Sequence, residues 1–247
     1  MITISSGHGL HVRGARGLID EVDEARRVVN RTAELLKAAG SLVNVFHDDV
    51  SRTQRDNINA IVSYHNSTKR ELDISIHFNS TASGLIEDRA IGTEVLYRKY
   101  NKEARKIAGA TATAISSTSG LLLRHQWRKM SGTVPTANLG FINGSNRTAI
   151  LIEVCFVNSR EDVRLYQLHF DQICNAIAQT ALAHTSGNIT SADPVSGQEP
   201  SPWARTAWAW GIENQITDGT NPQTMPTREQ LVQLLFNYHR SFLPKQG

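Results

Sequence analysis

The chain has 247 residues, 40% of them hydrophobic and 20% charged, with 17 glycines and 7 prolines. That composition excludes a collagen-like, low-complexity or mostly disordered chain, and at roughly 150 residues per domain the length fits one large domain with a small appendage. The net charge of +3 argues against a nucleic-acid partner, and no apolar run reaches the roughly 18 residues that a membrane span needs.

Residues 2–5 read as a buried strand that runs into Ser6-Gly7-His8-Gly9. No basic segment followed by an apolar run opens the chain, so synthesis in the cytoplasm without a secretory leader is expected. Asp20 is placed to cap a helix in which Val22, Ala25, Val29, Thr32 and Leu36 fall on one stripe, with Gly40 as its stop. A strand over 42–46 and a helix over 52–64 follow. Residues 72–78 form an apolar strand carrying Ser75-Ile76-His77-Phe78-Asn79, and 93–97 another. A helix fits 102–116, a strand 150–156, and a helix 160–183 with Tyr166, Phe170, Ile173 and Ile177 on its buried stripe. Strands alternating with helices predict an α/β domain over 1–184, with a mainly parallel twisted sheet covered by helices on both faces. Cys155 and Cys174 make no disulfide framework, which fits folding in a reducing compartment.

In such folds ligands sit beyond the carboxyl ends of the strands. His8 follows the first strand, Glu21 opens the first helix, His77 closes the third strand, and Glu153 lies in Ile150-Leu151-Ile152-Glu153-Val154-Cys155-Phe156. Two imidazoles and two carboxylates are thus expected at one sheet edge. Two His and one Glu compose a catalytic zinc site, and one more carboxylate is the proton carrier that zinc-assisted hydrolysis needs. Each residue also has a plain structural reading. His8 suits a turn, His77 a hydrogen-bonded core histidine, and Glu21 the positive end of a helix dipole. Glu153 resists that treatment, because a carboxylate in an apolar strand costs several kcal/mol unless paired or liganded.

The series Ser5-Ser6-Gly7-His8-Gly9, Glu21, Ser75-Ile76-His77-Phe78-Asn79-Ser80 and Ile150 to Asn158 resembles, in order, the motifs of the zinc-dependent N-acetylmuramoyl-L-alanine amidases of the amidase-3 type. The resemblance covers about residues 1–180. It implies a zinc ion held by His8, Glu21 and His77, Glu153 as the catalytic carboxylate, and peptidoglycan as substrate. Glu24, one turn along from Glu21, is the alternative ligand; the apolar pair Leu18-Ile19 followed by Asp20 favours Glu21. The first motif departs from the family in having Ser5-Ser6 where Asp-Pro is usual, and Cys155 stands where Gly is frequent. A zinc peptidase acting on stem peptides, or a wall-binding protein without catalysis, are the alternative functions. Without a leader, the resemblance implies a phage or prophage endolysin, made in the host cytoplasm and acting on the wall after release.

Weaker candidates line the same edge. His11 in the loop after His8, and His47-Asp48-Asp49 after the second strand, read more simply as surface loop and helix-capping turn. The stretch 120–140 carries Arg124, His125, Trp127, Arg128 and Lys129, which read more simply as plain surface, with contact to an anionic or glycan substrate as the alternative. Cys155, two residues after Glu153, is expected on the same face. Residues 185–200 are rich in Ser, Thr, Gly and Pro and read as a flexible linker. Residues 201–247 carry Trp203, Trp208 and Trp210 and read as two short helices, with Trp203, Ala207, Trp210 and Ile212 packed on Leu231, Leu234, Leu235 and Tyr238. This stretch is similar to one S-layer homology repeat, which implies binding of a cell-wall polysaccharide.

Overall fold

The computed structural model describes residues 1–126, 129–185 and 205–214, with positions 217, 232, 235 and 238. The chain separates into two compact units, Met1–Asn188 and Ile189–Gly247. In the first, the elements run β1 (Ile2–Ser6), α1 (Glu21–Ala38), β2 (Val43–Phe46), α2 (Gln54–Ser67), β3 (Leu72–Asn79), β4 (Glu94–Arg98) and α3 (Lys102–Ser119). They continue through β5 (His125–Gln126), β6 (Lys129–Met130), β7 (Thr133–Thr136), α4 (Gly140–Gly144), β8 (Thr148–Phe156), α5 (Arg160–Leu168) and α6 (Phe170–Thr185).

Six strands form one sheet in the order β2-β1-β3-β8-β4-β7, and β5 and β6 pair separately as a short hairpin. The four strands β2, β1, β3 and β8 are parallel, as expected. β4 pairs antiparallel with β8, and β7 runs parallel to β4, so the sheet is mixed. The reason lies between β3 and β4. Residues 80–93 contain no helix that could carry the chain back across the sheet, so β4 enters from the edge at which β3 leaves.

Side-chain alternation sorts the two faces. Leu72, Ile74, Ile76 and Phe78 of β3, with Ile150, Ile152 and Val154 of β8, pack into the larger core with α1, α3 and α6. Ala149 and Leu151 point the other way, onto Ile61 of α2 and Phe141 and Ile142 of α4. Helices therefore cover both faces. The stripe expected on α1 is buried throughout, and the Asp20 carboxylate caps the helix by accepting from the Val22 and Asp23 amides. Gly40, at φ +81, takes the left-handed turn that ends it.

The helix expected over 160–183 is two. The chain breaks at His169 (φ −116, ψ 26), where Leu168 turns to solvent, while Tyr166, Ile173 and Ile177 stay fully buried. Neither Gly nor Pro marks the break. The linker, apart from Thr185, lies outside the described residues, as do Trp203, Leu231 and Leu234. In the second unit α7 (Arg205–Glu213) is helical. Of the members of the small core expected there, Ala207 is exposed, and Trp210, Ile212, Leu235 and Tyr238 are 45–61% exposed. No helix among the described residues is long and apolar enough to cross a membrane.

Candidate active site

Three parallel strands deliver their polar groups to one edge. β1 leads to His8, the final residues of β3 include His77, and β8 carries Glu153 directly beside His77 in the register. Glu21 is the first residue of α1, immediately after its cap. Its Oε1 lies 3.0 Å from His77 Nδ1 and 3.6 Å from His8 Nε2. The two imidazoles meet edge to face, with ring centroids 5.1 Å apart. One donor atom from each of His8, Glu21 and His77 falls within 4.8 Å of the others.

The Glu21 carboxylate is fixed from behind. Ala15 N donates to Oε2 at 2.6 Å, Phe78 N donates to Oε1 at 3.1 Å, and the residue is 2% exposed. Burial by itself raises a carboxyl pKa, but the His77 hydrogen bond, the two imidazoles and the Ala15 amide outweigh it, and Glu21 titrates below its ordinary range. Burial lowers the pKa of His8, which favours the neutral ring that binds a metal. Glu24, the alternative ligand, is engaged elsewhere. It accepts from Tyr166 Oη at 2.6 Å and from Arg27 Nη1 at 2.7 Å.

Two glycines permit this approach. A Cβ on Gly7 would stand 1.7 Å from His77 Nε2. Gly14 has φ +68, and a Cβ there would stand 2.4 Å from Glu21 Oε2 and 2.6 Å from His8 Cδ2. Glycine at 7 and 14 therefore leaves the space that the His77 ring and the Glu21 and His8 side chains occupy.

Glu153 stands apart from these three donors. Its Oε2 is sealed from solvent and accepts no hydrogen bond among the described residues. Burial foremost, and then the Glu21 and Glu94 carboxylates, push its pKa up to about 8 against the opposing influence of His77 and Arg124. Glu94 of β4 faces it across the antiparallel register, accepts from Asn79 Nδ2 at 2.8 Å and is ion-paired with Arg124, whose guanidinium lies 4.7 Å over the Phe156 ring. Arg124, read more simply as plain surface, thus reaches Glu94 beside Glu153. Sequence reasoning missed Glu94, although the signal was the one that singled out Glu153: a carboxylate inside an apolar strand, here Thr93-Glu94-Val95-Leu96-Tyr97.

The remaining candidates divide. His11 is exposed, as a surface histidine would be. His47 Nδ1 lies 2.9 Å from Ser6 Oγ and its Nε2 3.0 Å from Asn30 Oδ1, and Asp49 pairs with Arg26. Asp48 caps a turn by accepting from Val50 N, Ser51 N and Asn57 Nδ2, while its carbonyl accepts from Leu10 N and so buttresses the loop behind His8. Trp127, Arg128 and the side chains of His125 and Lys129 lie outside the described residues. Cys155 does not share the face of Glu153. Between Glu153 and Phe156 the register slips by one residue against β3, and this bulge turns Cys155 into the larger core, where it is fully buried.

Residues 2–183 match the N-acetylmuramoyl-L-alanine amidase family. Among curated proteins, an uncharacterized protein of Clostridium perfringens is 29% identical over 169 residues, covering 67% of this chain and 46% of that protein. A second uncharacterized protein, of 38.4 kDa and from the same species, is 28% identical over 167 residues, covering 67% of this chain and 46% of its own length. The chain therefore spans about half the length of the curated relatives it matches. Among solved structures, the CwlD amidase of Clostridioides difficile, in complex with the GerS lipoprotein, aligns with a TM-score of 0.63 at 19% identity over 76% of this chain and 98% of that one. The catalytic domain of an endolysin targeting Clostridia Difficile aligns with a TM-score of 0.59 at 24% identity over 76% of this chain and 98% of that one. At these identities the likeness is one of fold.

Proposed function

Because the chain belongs to the N-acetylmuramoyl-L-alanine amidase family, we propose that it hydrolyses the amide joining the lactyl group of N-acetylmuramic acid to L-alanine in peptidoglycan. The observation that carries this reading is His8, Glu21 and His77 clustered beside Glu153, whose Oε2 is buried without a hydrogen bond among the described residues. The three donors fit zinc. Two imidazoles and one carboxylate are the donor set of a catalytic zinc site, and one atom of each lies within 4.8 Å of the others, so His8, Glu21 and His77 would hold the ion. Bound zinc lowers the pKa of water to about 7 and polarises a carbonyl oxygen.

The chain's own residues supply the rest. The Ala15 and Phe78 amides aim the Glu21 carboxylate at both imidazoles. The Glu153 carboxylate, whose Oε2 is turned away from solvent, accepts the proton of the attacking water at its other oxygen and returns it to the amine of the departing L-alanine. Its raised pKa suits a group that must hold and release a proton near neutrality. Arg124 neutralises Glu94, so that Glu153 does not face a second bare carboxylate. Digestion of purified peptidoglycan tests the reaction. New L-alanine amino termini on intact stem peptides are expected, and new termini confined to bonds within the stem would make the chain a peptidase instead.

The metal assignment has its own comparison. Glu21→Gln should lower zinc affinity by roughly 10-fold or more, while Glu24→Gln keeps its zinc and loses only its contacts to Tyr166 and Arg27. Metal competition on the two purified variants reads the difference, and zinc lost from Glu24→Gln alone would move the ligand one turn along α1.

We assign residues 201–247 to wall-polysaccharide binding and the whole chain to lysis of a host from within, as an endolysin made in the cytoplasm. Support comes from the similarity of 201–247 to one S-layer homology repeat and from the fold shared with an endolysin catalytic domain. Trp210, 46% exposed on α7, is expected to contact the wall. Pelleting with cell walls should fall for Trp210→Ala, and undiminished pelleting would remove this surface from the assignment.

A further inference from the structure

Tyr100 is the one non-glycine residue with positive φ (+69) among the described residues, and it is 86% exposed. Glycine or asparagine takes that conformation at little cost, whereas a bulky side chain there is strained. Burial does not repay the strain, because the ring packs on little besides the Lys99 ammonium, 5.0 Å from its centroid. Strain retained on an exposed aromatic points to use rather than to folding.

The surroundings indicate the use. Tyr100 stands in the turn from β4 to α3, between Arg98 and Asn101, and both of those residues line a polar cavity of about 510 Å³ with Asn146 and Arg147. Arg98 donates to the Asn143 carbonyl, and neither Arg98 nor Arg147 has a carboxylate within ion-pair distance among the described residues. The carboxylates in the lining are engaged: Glu103 accepts from Thr148 Oγ1 and lies 3.8 Å from His184 Nδ1, and Glu71 pairs with the Met1 amino group. Asn146 is held in place by Arg70, which donates to its Oδ1 at 2.8 Å. An exposed ring in the same turn as the Arg98 and Asn101 of this lining is the equipment for a pyranose: the ring stacks on a sugar face, and the amides bridge hydroxyls. Two guanidinium groups without carboxylate partners call for an anionic substituent on it.

We propose that this cavity and Tyr100 form a second saccharide site, taking a glycan whose sugars carry carboxylates. The choice of ligand rests on the proposed hydrolysis, which leaves a lactyl carboxylate on each N-acetylmuramic residue that loses its peptide. The site lies at the opposite sheet edge from Glu153, five residues and about 17 Å along β8. A strand already stripped of peptides can therefore hold the chain while the metal-ligand edge meets an unstripped neighbour.

The full chain, stripped of metal with a chelator, is titrated by calorimetry with peptide-free glycan strands prepared without this protein. Chitotetraose, which has the same type of backbone and no carboxylate, and poly(glycerol phosphate) are the comparison probes. The stripped strands are expected to bind at least 10-fold more tightly than either. Tyr100→Gly, and Arg98→Ala combined with Arg147→Ala, should each weaken that binding 10-fold or more, with the melting temperature of Tyr100→Gly unchanged or raised. Equal affinity for chitotetraose, or tighter binding of the phosphate polymer, would overturn the carboxylate assignment. Undiminished binding by the variants would place the glycan on another surface and overturn the site. Since no turnover enters the measurement, its failure leaves the proposed hydrolysis standing, and a failed hydrolysis assay leaves this result readable.

Discussion

Glu153→Gln is expected to keep its fold and its zinc and to lose roughly 10²–10⁴-fold in turnover, the usual contribution of a positioned acid or base. Gln is nearly the same size, so neither Leu151 nor Val154 must move. The metal should stay because His8, Glu21 and His77 form the donor cluster without Glu153. Stability should hold or rise, since Oε2 is buried without a hydrogen bond and an amide there avoids desolvating a charge. Zinc content and turnover are read on one preparation. Zinc lost with activity would make Glu153 a ligand, and near-normal turnover with zinc in place would remove it from the chemistry.

The largest effect on stability is expected from Asp73→Ala. Asp73 is fully buried in β3 and gathers four hydrogen bonds from three side chains: His65 Nδ1 at 2.8 Å, Arg70 Nε at 2.7 Å and Nη2 at 2.9 Å, and the Ser145 hydroxyl. His65 Nε2 lies in turn 3.0 Å from Ser5 Oγ. The series Ser5–His65–Asp73 has the order of a hydrolytic triad, but all three residues are buried to within 1% and no substrate reaches Ser5. It is a clasp joining β1, α2, β3 and the loop before β8. Removing the carboxylate strands the Arg70 guanidinium inside the protein, at a cost of about 3–5 kcal/mol. For a unit of this size that corresponds to a fall of about 6–20 °C in melting temperature.

The pH dependence of the same clasp has a definite sign. Burial alone raises the Asp73 pKa, but the hydrogen bonds and charges of His65 and Arg70 outweigh it and hold the group below its ordinary value. A depressed folded-state pKa contributes stability that is fully present above the unfolded pKa of about 3.9 and is lost as the pH falls through the folded value. The gap in melting temperature between the native chain and Asp73→Ala should therefore be constant near neutrality and narrow below about pH 4. A variant melting within 2 °C of the native chain at pH 7, a margin well under the effect expected for a stranded charge, would show that Arg70 finds other partners.

Much of this protein is written locally. The Asp20 cap, the stripe from Val22 to Leu36 and the apolar runs of β1, β3 and β8 follow from short-range rules, because a helix face repeats every 3.6 residues and a buried strand is simply apolar. His8, Glu21, His77 and Glu153 could be picked out because a parallel sheet sends its strand ends to one edge, and because a carboxylate among Leu, Ile and Val has no cheap explanation. Other features depend on contacts that no local pattern encodes. β4 and β7 reverse direction because residues 80–93 lack a crossover helix, and β7 and α4 are too short to show a period. Glu24 and Glu21 sit one turn apart, each after an aspartate, and the Tyr166 hydroxyl and Arg27, arriving from α5 and the next turn of α1, draw Glu24 away. A one-residue bulge took Cys155 out of the site, since side-chain period in a strand holds only until the register slips. The indispensability of Gly7 and Gly14 likewise appears only when the His77 ring and the Glu21 carboxylate occupy the space a Cβ would need. Sequence thus determined which groups are candidates, and tertiary packing decided which of them meet, because that outcome turns on neighbours far away in the chain.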